Sequence, residues 1–167
     1  MKEIELDAID LQLLDQLQKD ASLSNQVLAE RVHTSAPTCL RRVKRLRDSG
    51  LIEKQVAVLN PQTLAAHTGY GLTAIVEVSL DRQDTGALEA FEKRVALEAA
   101  VQQCYRVSPG PDFCLVVHTW DMPAYQALTQ RLFTTDANVR NVKAFFSVRR
   151  SKFSAALALP PRMSAAN

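Results

Sequence analysis

The chain has 167 residues, 47% of them hydrophobic, and a formal net charge of +2. That length suits one ordinary domain or two small ones, and the near-neutral charge excludes a protein that is cationic over its whole surface. The three cysteines, Cys39, Cys104 and Cys114, form no Cys-x-x-Cys pair, so neither a disulfide framework nor a zinc finger is expected and a reducing cytoplasm is the simplest compartment. The opening Met-Lys-Glu-Ile-Glu-Leu-Asp is too acidic and polar for a signal peptide, and no apolar run approaches the ~18 residues of a membrane span.

The first predicted helix runs from about Asp7 to Lys19. Leu6, Ile9, Leu13 and Leu17 recur at helical spacing, with Leu14 widening the stripe. Asp7 suits its cap, and Asp10 suits the positive end of its dipole. Ser24 caps a short second helix, Asn25 to Val32. After His33-Thr34-Ser35 a third helix begins near Ala36, with Pro37 in its first turn, and stops at Gly50. The period then changes to two: Leu51, Ile52, Val56, Val58 and Leu59 predict a short β-ribbon, stopped by Asn60-Pro61. Residues 60–69 read as a linker with one helical turn.

Strands and helices alternate from there. Strands are expected at Tyr70–Leu80, Val101–Val107, Asp112–Trp120 and Val139–Arg149. Helices are expected at Thr85–Glu98 and Pro123–Phe133, and Ser108-Pro-Gly-Pro111 is a turn. The order βαββαβ is that of the ferredoxin-like split-βαβ fold. The Ala-, Pro- and Ser-rich tail, 153–167, is expected to be flexible. The fold class is therefore α+β: a winged helix-turn-helix over 1–59, the linker, and a βαββαβ domain over 70–152.

The third helix carries five basic residues in seven positions: Arg41, Arg42, Lys44, Arg45 and Arg47. On a wheel at ~100° per residue, Ala36, Cys39, Leu40, Val43 and Leu46 share one arc, with Thr38, Arg41 and Arg45 opposite. A solvated charged face is the commonest meaning of such a pattern. A membrane-lying helix would need Trp or Phe anchors, which this helix lacks. A short helix, a tight turn and a basic helix instead make a helix-turn-helix, with the ribbon as its wing. Ser35, Pro37, Thr38 and Arg41 are then the candidate base readers. Arg42, Lys44, Arg45 and Lys54 are the candidate phosphate grips. Arg149, Arg150 and Lys152 fit either a DNA contact or a solvated strand end.

Leu6-Asp7-x-x-Asp10, Leu13-Leu14, Leu17-Gln18-Lys19-Asp20, Leu28-Ala29-x-x-Val32, Ser35, Cys39-x-x-Arg42-Val43-x-x-Leu46, Ser49-Gly50-Leu51-Ile52 and Asn60-Pro61 together resemble the N-terminal pattern of the Lrp/AsnC (feast/famine) regulators. The resemblance covers residues 6–152. It implies a bacterial or archaeal transcription regulator, cytoplasmic and associated with the nucleoid when bound to double-stranded DNA. It implies a βαββαβ (ACT-like, RAM) domain through whose sheets homodimers form and assemble to tetramers or octamers. It also implies a small-molecule effector, usually an amino acid, held between dimers, and no cofactor. His33 stands where the family commonly has Gly.

The family's effector loop typically reads Gly-Asp-x-Asp-Tyr-Leu, and the matching run here is Pro109-Gly110-Pro111-Asp112-Phe113-Cys114. Asp112 suits an α-ammonium group, and turn N–H groups suit an α-carboxylate. The two prolines remove two of those donors. Met122, Phe145, Phe146 and Ser147 match the rest of the effector region, so the candidate set is Pro109, Gly110, Asp112, Met122, Phe145, Phe146 and Ser147. Ordinary packing for the apolar members, and a turn cap for Asp112, explain them equally well.

Three other functions fit some of these residues. Cys114 and His118 share a strand face with Cys104 nearby, a weak metal or redox pattern, since lone cysteines usually pack as small hydrophobes. A sirohaem decarboxylase-like enzyme of the same two-domain plan would use His67 or His118 with Arg106 on tetrapyrrole carboxylates. A ligand sensor acting on another protein would need no DNA-reading helix.

Overall fold

The computed structural model describes residues 4–69 and 71–160. The chain forms two compact units, one made of the residues up to Val58 and the segment returning from Lys152, the other Leu59–Ser151.

The first unit holds α1 (Ala8–Lys19), α2 (Asn25–Arg31) and α3 (Ala36–Asp48). Each starts on a polar side chain that satisfies otherwise orphaned N–H groups. Asp7 accepts from the N–H groups of Ile9 and Asp10, while Asp10 accepts from that of Asp7, a complete capping box. Ser24 caps α2 and Ser35 caps α3, with Pro37 in the first turn, where a missing N–H costs little. Leu13, Leu17, Leu28, Ala29, Val32, Cys39, Val43 and Leu46 form the core, and Ile52 covers part of it. Full burial of a leucine such as Leu13 or Leu46 stabilises by roughly 1.5–3 kcal/mol.

The turn between α2 and α3 closes through Thr34 N–H to the Ala29 carbonyl at 2.9 Å. His33 bends it at φ 53°, the left-handed conformation glycine adopts more cheaply. Gly50, at φ 80°, ends the last helical turn with its N–H on the Arg47 carbonyl.

Two expectations for this unit need correction. The predicted ribbon after Gly50 does not form a ladder among the described residues: residues 53–60 belong to no strand, and Val56, Val58 and Leu59 face solvent. Alternating residues give extended backbone, but a ladder needs a second strand, and no turn within 51–59 returns the chain to supply one. Leu40, placed in the apolar arc by the wheel, is instead exposed. The packed side of α3 centres on Cys39, Val43 and Leu46, and Leu40 lies just past its edge.

The second unit opens with α4 (Pro61–Thr68), capped by Asn60, a fuller helix than the single turn expected. A four-stranded antiparallel sheet follows: β1 (Leu72–Leu80), β2 (Val101–Arg106), β3 (Phe113–Thr119) and β4 (Val139–Phe146), in the order β2-β3-β1-β4. Tyr70, expected to start the first strand, lies outside the described residues. Helices α5 (Thr85–Ala96) and α6 (Met122–Thr129), the latter running into a π-helical turn over Gln130–Thr134, complete the βαββαβ order.

The sheet has one face buried against the helices. Ala74, Val76, Val78 and Leu80 from β1 and Phe113, Leu115 and Val117 from β3 pack against Phe91, Val95, Tyr125, Leu128, Leu132 and Phe133. The Phe91 and Phe113 rings sit 4.7 Å apart. The alternate residues form the other face, on which Ile75 and Phe145 are exposed.

The last strand ends at Phe146 rather than Arg149, although the Ser147 N–H still reaches the Thr73 carbonyl at 2.8 Å. As far as Pro160 the tail forms no helix or strand, and Leu157 is held by Gln18 of α1, which donates to its carbonyl at 3.2 Å and accepts from its N–H at 2.7 Å. One amide side chain thus satisfies both main-chain groups of Leu157, a pairing that composition does not reveal. Residues 161–167 lie outside the described residues.

Candidate nucleic-acid interface

The position of α3 is set by its neighbours. Asn25, at the start of α2, donates to the Ala36 carbonyl at 2.7 Å, fixing the two helix beginnings together. On α1, Asp10 is fully buried and accepts from Arg42 at 2.9 Å and from Arg45. Arg42 also donates to Asp7 at 2.6 Å. Burial raises the Asp7 pKa, but the N–H bonds and the Arg42 guanidinium outweigh it and hold the carboxyl below the usual range. The same carboxylates push the Arg42 pKa up.

This network divides the proposed DNA-contacting residues. Arg42 is only 21% exposed and one terminal nitrogen of its guanidinium bonds two carboxylates, so its side chain holds α3 to α1 rather than projecting as a phosphate grip, while its buried Nε has no hydrogen-bond partner among the described residues. Arg45 shares Asp10 but keeps 46% of its side-chain surface exposed. Arg41 and Lys44 are exposed and, among the described residues, ion-pair with no carboxylate. Pro37 is exposed beside them, and the Ser35 hydroxyl donates to that of Thr38 at 2.9 Å. Lys54 is exposed, with a loose 4.0 Å contact to Glu53. Arg47 donates to Gln55 at 2.9 Å.

The sequence reading missed the role of Asp10. Its signal was available: two acids three apart on α1 match two arginines three apart on α3, the spacing that puts each pair on one helix face.

The proposed effector residues fall into two groups that a single chain does not unite. Pro109, Gly110 and Asp112 lie in the β2–β3 turn. There the Asp112 carboxylate accepts from the Leu80 N–H at 2.6 Å and its own N–H donates to the Val78 carbonyl, so it caps the end of β1. Phe145 pairs with Ile75 and Phe146 with Ala74, near the other end of β1, where Ser147 meets Thr73. Met122, exposed, opens α6 just after β3, whose last residue pairs with Leu72. The six residue steps from Ala74 to Leu80 span about 20 Å of strand. Phe146 also packs edge-on against Tyr125, with centroids 5.1 Å apart.

The metal and enzyme candidates are dispersed. Cys104 opposes Leu115, so it lies on the helix side of the sheet, whereas Cys114 opposes Glu77 on the open side. His118 binds Thr73 Oγ1 through Nδ1 at 3.0 Å. Arg106 makes a two-pronged pair with Glu92, at 3.0 and 2.8 Å, and His67 is exposed on α4.

Comparison with known proteins decides the family. Residues 73–157 match the Lrp/AsnC ligand binding domain and residues 6–53 a winged helix-turn-helix DNA-binding domain. The chain belongs to the Lrp/AsnC family. A leucine-responsive regulatory protein of Rhizobium meliloti is 38% identical over 149 residues, 89% of this chain and 93% of that protein. An HTH-type transcriptional regulator of Haemophilus influenzae is 37% identical over 154 residues, 92% and 89% of the two chains. A transcriptional regulator from Neisseria meningitidis, solved in complex with L-Met, superposes with a TM-score of 0.80 at 29% identity, covering 92% of this chain and 97% of its own. The protein is thus a transcriptional regulator of the Lrp/AsnC type with a helix-turn-helix DNA-binding domain. None of these relatives speaks for the tetrapyrrole-enzyme alternative. No helix among the described residues is long and apolar enough to cross a membrane.

Proposed function

We propose that this Lrp/AsnC regulator reads its operator with α3, and that the observation carrying this reading is the exposed, unpaired cationic edge formed by Arg41 and Lys44. Ser35, Pro37, Thr38 and Arg41 stand at the N-terminal half of the helix, the part that meets base edges when such a helix enters the major groove. The Arg41 guanidinium is suited to O6 and N7 of guanine. Lys44, Arg45 and Lys54 grip phosphates, and Arg42 acts from behind by fixing α3 on Asp7 and Asp10.

The working form in this reading is a homodimer of βαββαβ domains over 70–152, further assembled to tetramers or octamers. Support comes from the sheet face away from α5 and α6, where exposed Ile75 and Phe145 stand opposite each other and Tyr105 lies exposed on β2. The effector is an amino acid or a related metabolite, as the L-Met complex of the Neisseria neighbour suggests. Its pocket needs two copies, because the Asp112 turn and the Met122, Phe145, Phe146 and Ser147 group lie at opposite ends of one chain's sheet. Effector binding acts by linkage, favouring one assembly and so changing operator affinity. The protein works in the cytoplasm, without a cofactor.

The test is selection of duplexes from a random pool by the purified full chain, followed by affinity measurement for Arg41→Ala and for wild type with each common amino acid. Arg41→Ala is expected to abolish selective binding, and at least one amino acid to change affinity in wild type but not in Asp112→Ala. Selective binding that survives Arg41→Ala would reject α3 as the reading helix.

A further inference from the structure

The rim of α3, just past its packed side, carries one apolar residue that the core does not use. Leu40 is 60% exposed, although Cys39, Val43 and Leu46 of the same helix are buried. The three-helix core closes without it: no member of the packed cluster, fully or partly buried, is Leu40. At about 100° per residue it projects about 60° from Pro37 and about 40° from Lys44, but about 100° from Arg41, so it stands at the rim of the proposed reading face, between the readers and the packed side.

Its neighbours limit what can cover it. Arg41, Lys44 and Arg47 surround it with positive charge. An apolar protein partner would have to strip water from those groups, whereas duplex DNA brings phosphates to meet them. In the major groove one base exposes an apolar group, the 5-methyl of thymine. Leucine offers no hydrogen-bond donor or acceptor, so this is the contact its chemistry fits.

We propose that Leu40 is a specificity-determining residue that packs its isobutyl group against a thymine methyl of the operator. This rests on the reading of α3 as the base-reading helix. It adds an apolar contact to the polar readers and makes part of the operator's sequence preference a preference for thymine over every base lacking that methyl.

The experiment uses the full chain and the duplex that wild type selects from a random pool. Each thymine of that duplex is replaced singly by deoxyuridine, which keeps every hydrogen-bonding group and deletes only the methyl. Wild type is expected to bind about fourfold more weakly when one particular thymine is so replaced, from the loss of one buried methyl. Leu40→Ala should weaken binding to the thymine duplex by at least that factor and be indifferent to the replacement. Leu40→Met, which retains apolar bulk, should preserve most of the discrimination. Because Leu40 is exposed, the thermal midpoints of both variants should match wild type, which separates a contact from a folding defect.

Wild type indifferent to every deoxyuridine, a selected duplex with no preferred thymine, or discrimination unchanged in Leu40→Ala would each overturn the proposal. Arg41→Ala, run on the same duplex, keeps the two levels apart. Its failure to weaken binding would reject α3 as reader, while its success alongside an indifferent wild type rejects Leu40 alone.

Discussion

Asp10 of α1, wholly out of solvent, holds the guanidinium of Arg42 of α3 at 2.9 Å, and the same carboxylate takes Arg45 on its other oxygen. The proposed reading helix is thus tied to α1 by a buried ion pair as well as by the hydrophobic core.

Removing that anchor should be costly. Asp10→Asn leaves two arginines facing a neutral amide, and breaking a buried pair from one side costs about 3 kcal/mol. Asp15→Ala removes the exposed Asp15–Lys19 pair and should cost less than about 0.5 kcal/mol. Urea denaturation of the two variants measures the difference. Equal, small losses would show that the network is no more than a surface pair.

The same cluster gives the protein an acid limit. The folded Asp7 carboxyl lies below its ordinary value of about 3.9, so the unfolded chain takes up the proton first as pH falls. The stability it contributes is complete above that unfolded value and is lost as pH drops through the lower folded one. Thermal midpoints should hold from neutrality to about pH 5, then fall below about pH 4, and Asp7→Asn should flatten part of that fall. A variant with the full wild-type slope would place the acid sensitivity elsewhere, for instance at Asp84, whose carboxyl is also held low by the Ala87 N–H.

Much of this was legible in the residues. Caps at Asp7 and Ser24 announce themselves because a short polar side chain before an apolar stripe has few other uses. The βαββαβ order followed from the change of period. What was not legible depends on partners distant in sequence. Alternation after Gly50 could not say whether a second strand exists. A wheel could not say where the packed arc ends within one residue, so Leu40 was misplaced. Charge type could not say whether Arg42 faces DNA or a carboxylate 32 residues away. The effector candidates were matched to a site between dimers, and a loop pattern does not give register, so their spread along β1 of one chain was not legible.

Register also brings Gly71 against His118. A Cβ at position 71 would stand 2.9 Å from the ring Cε1 of His118, whose Nδ1 is tied to Thr73. Gly71→Ala must therefore push the ring off its hydroxyl partner, and should destabilise the chain by about 1–2 kcal/mol, an overpacking cost. In a His118→Ala background most of that cost should vanish. An additive pair in the denaturation cycle would show that the glycine is needed for its backbone and not for the space it leaves.

The open sheet face makes the last prediction. Ile75 and Phe145 oppose each other on β1 and β4 at 49% and 54% exposure, so a charge at either position costs the isolated fold little. In a dimer built on this face the same charge would be buried without a partner, which costs several kcal/mol. Phe145→Glu should therefore sediment as a monomer while keeping its secondary structure. Lys143→Ala, on the same face but opposite Glu77, should leave assembly nearly intact. A Phe145→Glu variant that sediments like wild type would remove this face from the assembly. A pocket uniting Asp112 with Phe145 across two copies would then have to form through the strand edges instead.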